Sequence, residues 1–402
     1  MTSAAFRPVL RFAVATDPHI RAPQDPRLDR VRAVFDCAYA AAQADDAYPA
    51  LDAVVFTGDL ADNGTPEQFE LFRMAVTDAR RAGTAVLAVV AKNHDGWTFG
   101  KRSRATLEAM LGQTADFHRV LRGFHFIGLS TSENEEEYYS DAQRDWLAQQ
   151  LADAAAADAD RPIFVFHHEH VKETVYGSSA FDGWGHDFFI GPLTPYPQVV
   201  DFSGHSHYPL NDPRSLWQGA FTAVGAGSLS YAEFTANGER KLHPPGHEEI
   251  AQFWLVEVDA AHTLRLRGFD AFSGRQLCVY TLSQLADASQ RQYTPAQREA
   301  GAAPPVFPAG AAVTVAREGA QCRVTLPAAQ PTDDGVVFLY RLAVTDAAGV
   351  CVEQQRVIAP YWLGDLPQTV GFLLQTAPPG ATVAVTAENA YGQPSASLTA
   401  NL

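Results

Sequence analysis

The stretch Val9-Leu-Arg-Phe-Ala-Val-Ala-Thr-Asp-Pro-His19 passes without a break from a near-continuously apolar run into a carboxylate and an imidazole. A run of that length and composition predicts a strand buried on both faces, as in the middle of a parallel sheet. Asp17 and His19 stand two residues apart at its extended exit, so both side chains can reach one point. The same plan recurs twice. Residues 53–57 lead into Gly58-Asp59-Leu-Ala-Asp62-Asn63, and residues 84–91 lead into Lys92-Asn93-His94-Asp95. Helical patterns follow at 27–43, 66–82, 104–111 and 141–156, the second opened by Thr65 and Pro66 as cap and first-turn residue. Strand alternating with helix predicts an α/β fold.

From residue 162 the pattern changes to strands and long loops, with strands expected at 163–167, 199–203, 219–224, 251–258 and 263–269. These read as a sheet-rich second half of one domain spanning 1–288. Residues 289–308 are rich in Ala, Pro and Gln without apolar periodicity and read as a linker. Beyond it, runs at 311–317, 321–326, 336–345, 350–357, 370–375, 382–388 and 396–402 are short and separated by Gly, Pro and Asp turns. That spacing predicts a small Ig-like or fibronectin-III-like β-sandwich at 309–402.

At 402 residues with 47% apolar and 19% charged side chains, the chain suits a soluble globular protein of two domains. A formal charge of −16 disfavours nucleic acid as a main partner. No apolar run approaches the ~20 residues that span a bilayer, so no membrane insertion is expected. The polar lead at 1–8 lacks the features of a secretory leader, which predicts a cytoplasmic protein, or an exported one if a leader has been removed. Cys37, Cys278, Cys322 and Cys351 have no framework spacing and read as small buried hydrophobes, a Cys322 to Cys351 disulfide being the alternative.

The chemistry-bearing residues stand after strands. His167 ends Ile-Phe-Val-Phe, and His205 and His207 lie in Gly-His-Ser-His after another apolar run. Carboxylate, imidazole and amide oxygen together suit borderline divalent metals, and one Asp with two oxygens can bridge two ions. Taken singly these pieces are weak, since Asp-x-His is common and Asn-His-Asp is usually a turn. In this order they resemble the signature of the calcineurin-like metallophosphoesterase superfamily, over Asp17 to His207.

The resemblance implies a four-layer αββα sandwich with a dinuclear centre of iron, manganese or zinc. Asp17, His19 and His207 would hold one metal, Asn93, His167 and His205 the other, and Asp59 would bridge them. A metal-bound hydroxide would attack a phosphate ester in line. His94 would stabilise charge or protonate the leaving alkoxide, with Asp95 orienting its ring and Asp62 serving as a capping or supporting residue. A small phosphate ester is then the expected partner, a phosphodiester slightly ahead of a monoester. The alternatives are a binding or adhesion module with a structural metal site and a phosphoprotein phosphatase. Association through the C-terminal sandwich is a further expectation.

Two departures stand out. Lys92 occupies the place usually taken by Gly before Asn-His-Asp and reads as a solvated lysine. His167-His168-Glu169-His170 replaces the usual His-His-Pro, with His168 and His170 read as surface or supporting groups. The loop at 171–197, with Tyr176, Phe181, Trp184, Phe188, Phe189 and Tyr196, reads as an ordered loop with its own small core or as a substrate lid. The excursion at 231–247 would form the other cleft wall.

Overall fold

The computed structural model describes residues 6–97, 102–134, 136–236, 238–318, 321–333, 335–364 and 366–402. Most of the lead at 1–8 therefore lies outside the described residues. The chain divides into two compact units, Met1–His243 with His247–Pro295, and Pro244–Gly246 with Ala296–Leu402.

In the first unit the elements run β1 (Pro8–Ala15), α1 (Arg27–Gln43), β2 (Ala53–Thr57), α2 (Pro66–Ala79), β3 (Ala85–Val89), α3 (Ser103–Leu111), β4 (Phe117–Leu121), β5 (Phe124–Gly128), α4 (Asp141–Ala157) and β6 (Ile163–Phe166). Then follow β7 (His170–Val171), β8 (Gly185–His186), α5 (Ile190–Leu193), β9 (Val199–Ser203), β10 (Leu216–Gln218), β11 (Thr222–Gly225), β12 (Phe234–Ala236), β13 (Glu239–Leu242), β14 (Gln252–Asp259), β15 (Leu264–Asp270) and β16 (Arg275–Leu282). Helices α2 and α4 begin where their sequences dictate. Thr65 accepts from the Gln68 amide and Gln68 answers to the Thr65 amide, and Ser140 and Gln143 repeat this capping box on α4.

Two six-stranded sheets face each other, ordered β16-β15-β14-β1-β2-β3 and β10-β11-β9-β6-β5-β4. β1, β2 and β3 are parallel to one another, as are β5, β6, β9 and β11. Between the sheets lies an aromatic core in which the Phe12 ring stands 4.8 Å from Phe164 and 4.9 Å from Phe126, both edge-on. On the far side of the first sheet, Val31, Phe35 and Phe72 of α1 and α2 pack against Val54 and Phe56 of β2. On the far side of the second, Leu147 and Leu151 of α4 pack against Ile163 and Val165 of β6. Helices, sheet, sheet and helix are the four layers of an αββα sandwich.

Several boundaries differ from the sequence reading. Helix α2 stops at Ala79, ahead of a turn closed by Gly83 at φ +91°. The hairpin β4–β5 was not anticipated, although Arg122 and Gly123, both at positive φ, form the kind of two-residue connection that hairpins use. Leu216–Gln218 and Thr222–Gly225 pair across Gly219, Ala220 and Phe221, where a single strand at 219–224 was expected. The presumed linker is structured too. Pro295–Gly301 is helical (α6) and Val306 bridges Gln330, its alanines favouring helix more than its prolines oppose it.

The second unit carries seven strands among its described residues: β17 (Thr314–Glu318), β18 (Gln321–Pro327), β19 (Leu339–Thr345), β20 (Cys351–Ile358), β21 (Thr369–Leu374), β22 (Thr382–Glu388) and β23 (Leu398–Asn401). They form antiparallel sheets β17-β18-β21 and β20-β19-β22-β23 around Val324, Leu342, Val344, Phe372 and Val385, a β-sandwich. None of the four cysteines is in a disulfide; of the expected buried positions only Cys322 is buried, Cys37 and Cys278 being partly buried and Cys351 exposed on edge strand β20. Among the described residues no helix is long and apolar enough to cross a membrane.

Candidate metal centre

The predicted residues converge where parallel strands end. Asp17 and His19 follow β1, Asp59 follows β2, Asn93 and His94 follow β3, and His205 and His207 follow β9, the C-terminal edge at which open α/β sheets place their sites. Strand pairing continues past the regular sheet to position them. The Asp17 amide donates to the Gly58 carbonyl at 3.1 Å, and the His19 amide to the Asp59 carbonyl at 3.0 Å.

The backbone bends sharply here. Asp17, His19, Asp59, His205 and His207 all have positive φ, from 47° to 72°, a conformation that costs a non-glycine residue roughly 1–2 kcal/mol and that gathers at functional sites. Two glycines admit the side chains. A Cβ on Gly58 would stand 2.6 Å from His168 Nδ1, and one on Gly204 would stand 2.5 Å from Asp17 Oδ2.

Two groups of ligand-type atoms share Asp59: Asp17, His19, Asp59 and His207 form one, and Asp59, His168 and His205 the other. In the first, His207 Nε2 lies 3.1 Å from both Asp17 Oδ1 and His19 Nε2. In the second, His168 Nε2 lies 3.2 Å from Asp59 Oδ2 and 3.1 Å from His205 Nδ1. The Asn93 amide joins them, its Nδ2 3.1 Å from Asp59 Oδ2 and 3.4 Å from His205 Nδ1.

Burial makes this polar crowd costly. It pushes His205 down to about 4, the charge on His168 adding to the effect. Burial also opposes ionisation of Asp17 and Asp59, yet neighbouring imidazoles hold both carboxyls below their ordinary range. For His168 burial works against the charged form, while Asp59 and Asp17 hold its pKa well above the usual value. Asp59 Oδ1 and Asn93 Oδ1 are buried without a hydrogen-bond partner, and Asp17 Oδ1 meets only imidazole nitrogens. Orphaned oxygens beside imidazole nitrogens that face one another are what divalent cations would satisfy, so the residues fit a dinuclear centre.

Comparison with known proteins gives a family for the segment that carries these residues. The calcineurin-like phosphoesterase profile matches residues 10–209. This segment belongs to the calcineurin-like phosphoesterase family. A Rhodococcus erythropolis protein named "Probable cyclic nucleotide phosphodiesterase" is 33% identical over 128 residues, 30% of this chain and 39% of that protein. The chain thus spans about two fifths of that relative's length. Among solved structures, a purple acid phosphatase from yellow lupin seeds is 16% identical at a TM-score of 0.46, covering 68% of this chain and 53% of that one. The inner-membrane-complex anchor of Plasmodium has the same TM-score at 14% identity, covering 68% and 89%.

Three sequence expectations about this site are corrected. His167 was expected as a ligand, but it turns away from the centre. Its Nε2 lies 2.5 Å from Asp201 Oδ1 and its ring stacks on Phe189 at 3.6 Å. His168 takes the place beside Asp59, because Phe166 points into the inter-sheet core and alternation sends 167 to the helix side and 168 back. Asp95 does not orient His94. It is buried, accepts from the Ala61 and Ala91 amides at 2.9 and 3.0 Å, and so ties two ligand loops together. Its own pKa is raised to about 8, first by burial and then by Asp59. The Asp62 carbonyl does what Asp95 was expected to do, lying 2.8 Å from His94 Nδ1. Lys92 is not simply solvated: its Nζ donates to the Asn134 and Glu137 carbonyls at 2.8 and 3.0 Å.

Of the two readings of His170, surface or supporting group, its contacts favour the second. Buried, it lies 2.8 Å from Ser203 Oγ and 2.6 Å from Ser206 Oγ, which clamps the loop carrying His205 and His207. No local signal distinguishes it from a surface histidine.

Proposed function

We propose that this chain hydrolyses phosphate esters, phosphodiesters ahead of monoesters, at a centre of two cations drawn from manganese, iron and zinc. Asp17, His19 and His207 would hold one cation and Asn93, His168 and His205 the other, with Asp59 available to both. The observation that carries the reading is the pair of ligand groups joined through Asp59, with partnerless oxygens on Asp59 and Asn93. Bound cations supply Lewis-acid polarisation of the phosphoryl group and a lowered pKa for water.

The protein's own part is orientation and proton transfer. His94 is partly exposed and stands edge-on to His19 at 4.3 Å, beside the ligand set. With Nδ1–H donating to the Asp62 carbonyl, its Nε2 is the nitrogen left to hold a proton and deliver it to the leaving oxygen. Lys92 donates to two carbonyls, an engagement that supports the singly charged diester, which calls for less added positive charge than a doubly charged monoester. A purely structural metal site would have no use for a half-exposed imidazole held at that place.

The test is turnover of bis-p-nitrophenyl phosphate and p-nitrophenyl phosphate with manganese added, with metal content assayed on the same samples. Asp59→Asn is expected to abolish turnover with loss of metal, and His94→Ala to abolish it with metal retained. Turnover by metal-free wild type, or none of either ester by fully loaded wild type, overturns the reading.

A further inference from the structure

Of the six aromatic residues in the 171–197 loop, one reaches the ligand set: the Trp184 ring lies edge-on to His205 at 4.8 Å. Phe188 and Phe189 pack with Tyr139 at 4.9 and 4.8 Å in the core behind the site. From the other excursion, the Tyr231 ring lies 4.0 Å from His207 and 6.2 Å from His19. Trp97, 70% exposed, stands 5.8 Å from His94. Three flat side chains thus border three different imidazoles, and none of the three is fully buried.

These walls are fixed. The Tyr176 hydroxyl donates to the Thr235 carbonyl at 2.7 Å and accepts from the Thr235 amide at 3.0 Å, joining the 171–197 loop to strand β12. Arg240 of β13 donates to the Phe181 carbonyl at 2.9 Å, and Lys241 places its ammonium 4.5 Å over the Trp184 ring. Tyr231 is anchored through its neighbours. The buried Arg30 guanidinium donates to the carbonyls of Leu229, Ser230 and Glu248 at 3.0, 2.6 and 2.8 Å. A loop so tied is a preformed surface, not a lid that must close.

We propose that Trp184 and Tyr231 form a preorganised subsite that takes a flat aromatic or heteroaromatic ester group, so the favoured substrates are phosphodiesters of aryl or nucleoside type and not of polyol type. This inference rests on the phosphoesterase reading. Stacking on an aromatic side chain is tolerant of ring identity and is worth about tenfold to hundredfold in affinity. A glycerol-like group has no π-face to offer. Trp97 at the rim is the outer contact.

Calorimetric binding of phenyl, cyclohexyl and methyl phosphate to the manganese-loaded protein tests this, because the three share their charge and differ in the group presented. Phenyl phosphate is expected to bind at least about tenfold tighter than methyl phosphate and clearly tighter than cyclohexyl phosphate. That advantage should collapse in Trp184→Ala and Tyr231→Ala and persist in Trp184→Phe, at unchanged metal content. Trp184→Leu and Tyr231→Leu, which keep bulk against the imidazoles, carry the comparison where an alanine variant holds less metal. Equal affinity for phenyl and cyclohexyl phosphate in wild type, or an advantage that survives loss of both rings, overturns the subsite. Absence of ester turnover with the phenyl preference intact would instead overturn the phosphoesterase reading and leave the subsite standing.

Discussion

At the scale of single residues, the pair His167 and His168 separates structure from chemistry. Adjacent and identical in type, they point to opposite faces of one strand end. His168 has Asp59 and His205 before it, while His167 has Asp201 and Phe189. His168→Ala is therefore expected to lower the metal content of the centre and abolish turnover, as checked by metal analysis beside the diester assay. His167→Ala should keep the metals and lower stability, because it leaves the Asp201 carboxyl buried and unpaired. Leaving a buried acceptor unsatisfied costs about 1–3 kcal/mol, read as a drop in denaturation midpoint. Metal loss in His167→Ala with full retention in His168→Ala would reverse the assignment. The sequence offered both histidines and the alternation rule, but not which strand face looks toward the second sheet.

At the scale of elements, the ligand loops are legible as strand ends and illegible as conformations. The strands leading into Asp17, Asp59 and His205 fall within a residue of where apolar patterning puts them, because buried parallel strands have little freedom of composition. The positive φ of five site residues carries no such signal, since Asp and His are not obliged to adopt it. Gly58 is where the two meet. Its φ is +102° and its missing Cβ leaves room for the His168 ring. Gly58→Ala should displace that ring and reduce metal binding and turnover together, with the fold retained by circular dichroism; normal metal content in this variant would show the loop more pliable than its packing implies. The hairpin β4–β5 escaped notice for a related reason: it lies at the edge of its sheet, its strand β4 half-exposed, and its apolar pattern is broken by His118, Arg119 and His125.

At the scale of the molecule, the first unit gathers acidic and imidazole groups into a buried centre, and cations bound there bind the folded state alone. Ligand linkage adds about 3–4 kcal/mol for a site held at roughly a hundred to a thousand times its Kd. Chelation should therefore lower the melting temperature of the protein measurably, with recovery on adding manganese; an unchanged melting curve after verified metal removal would contradict a centre of this kind. What the sequence determined by itself was whatever is written in local pattern: α/β alternation, the four long helices, seven C-terminal strands, and strand-end residues able to hold two metals. The choice of His168 over His167, the Asp62 carbonyl behind His94, the tying role of Asp95 and the reach of Trp184 and Tyr231 were decided only by the tertiary structure. Each depends on which faces of distant segments meet, and a side chain's direction across a sheet is set by packing that no local stretch of sequence contains.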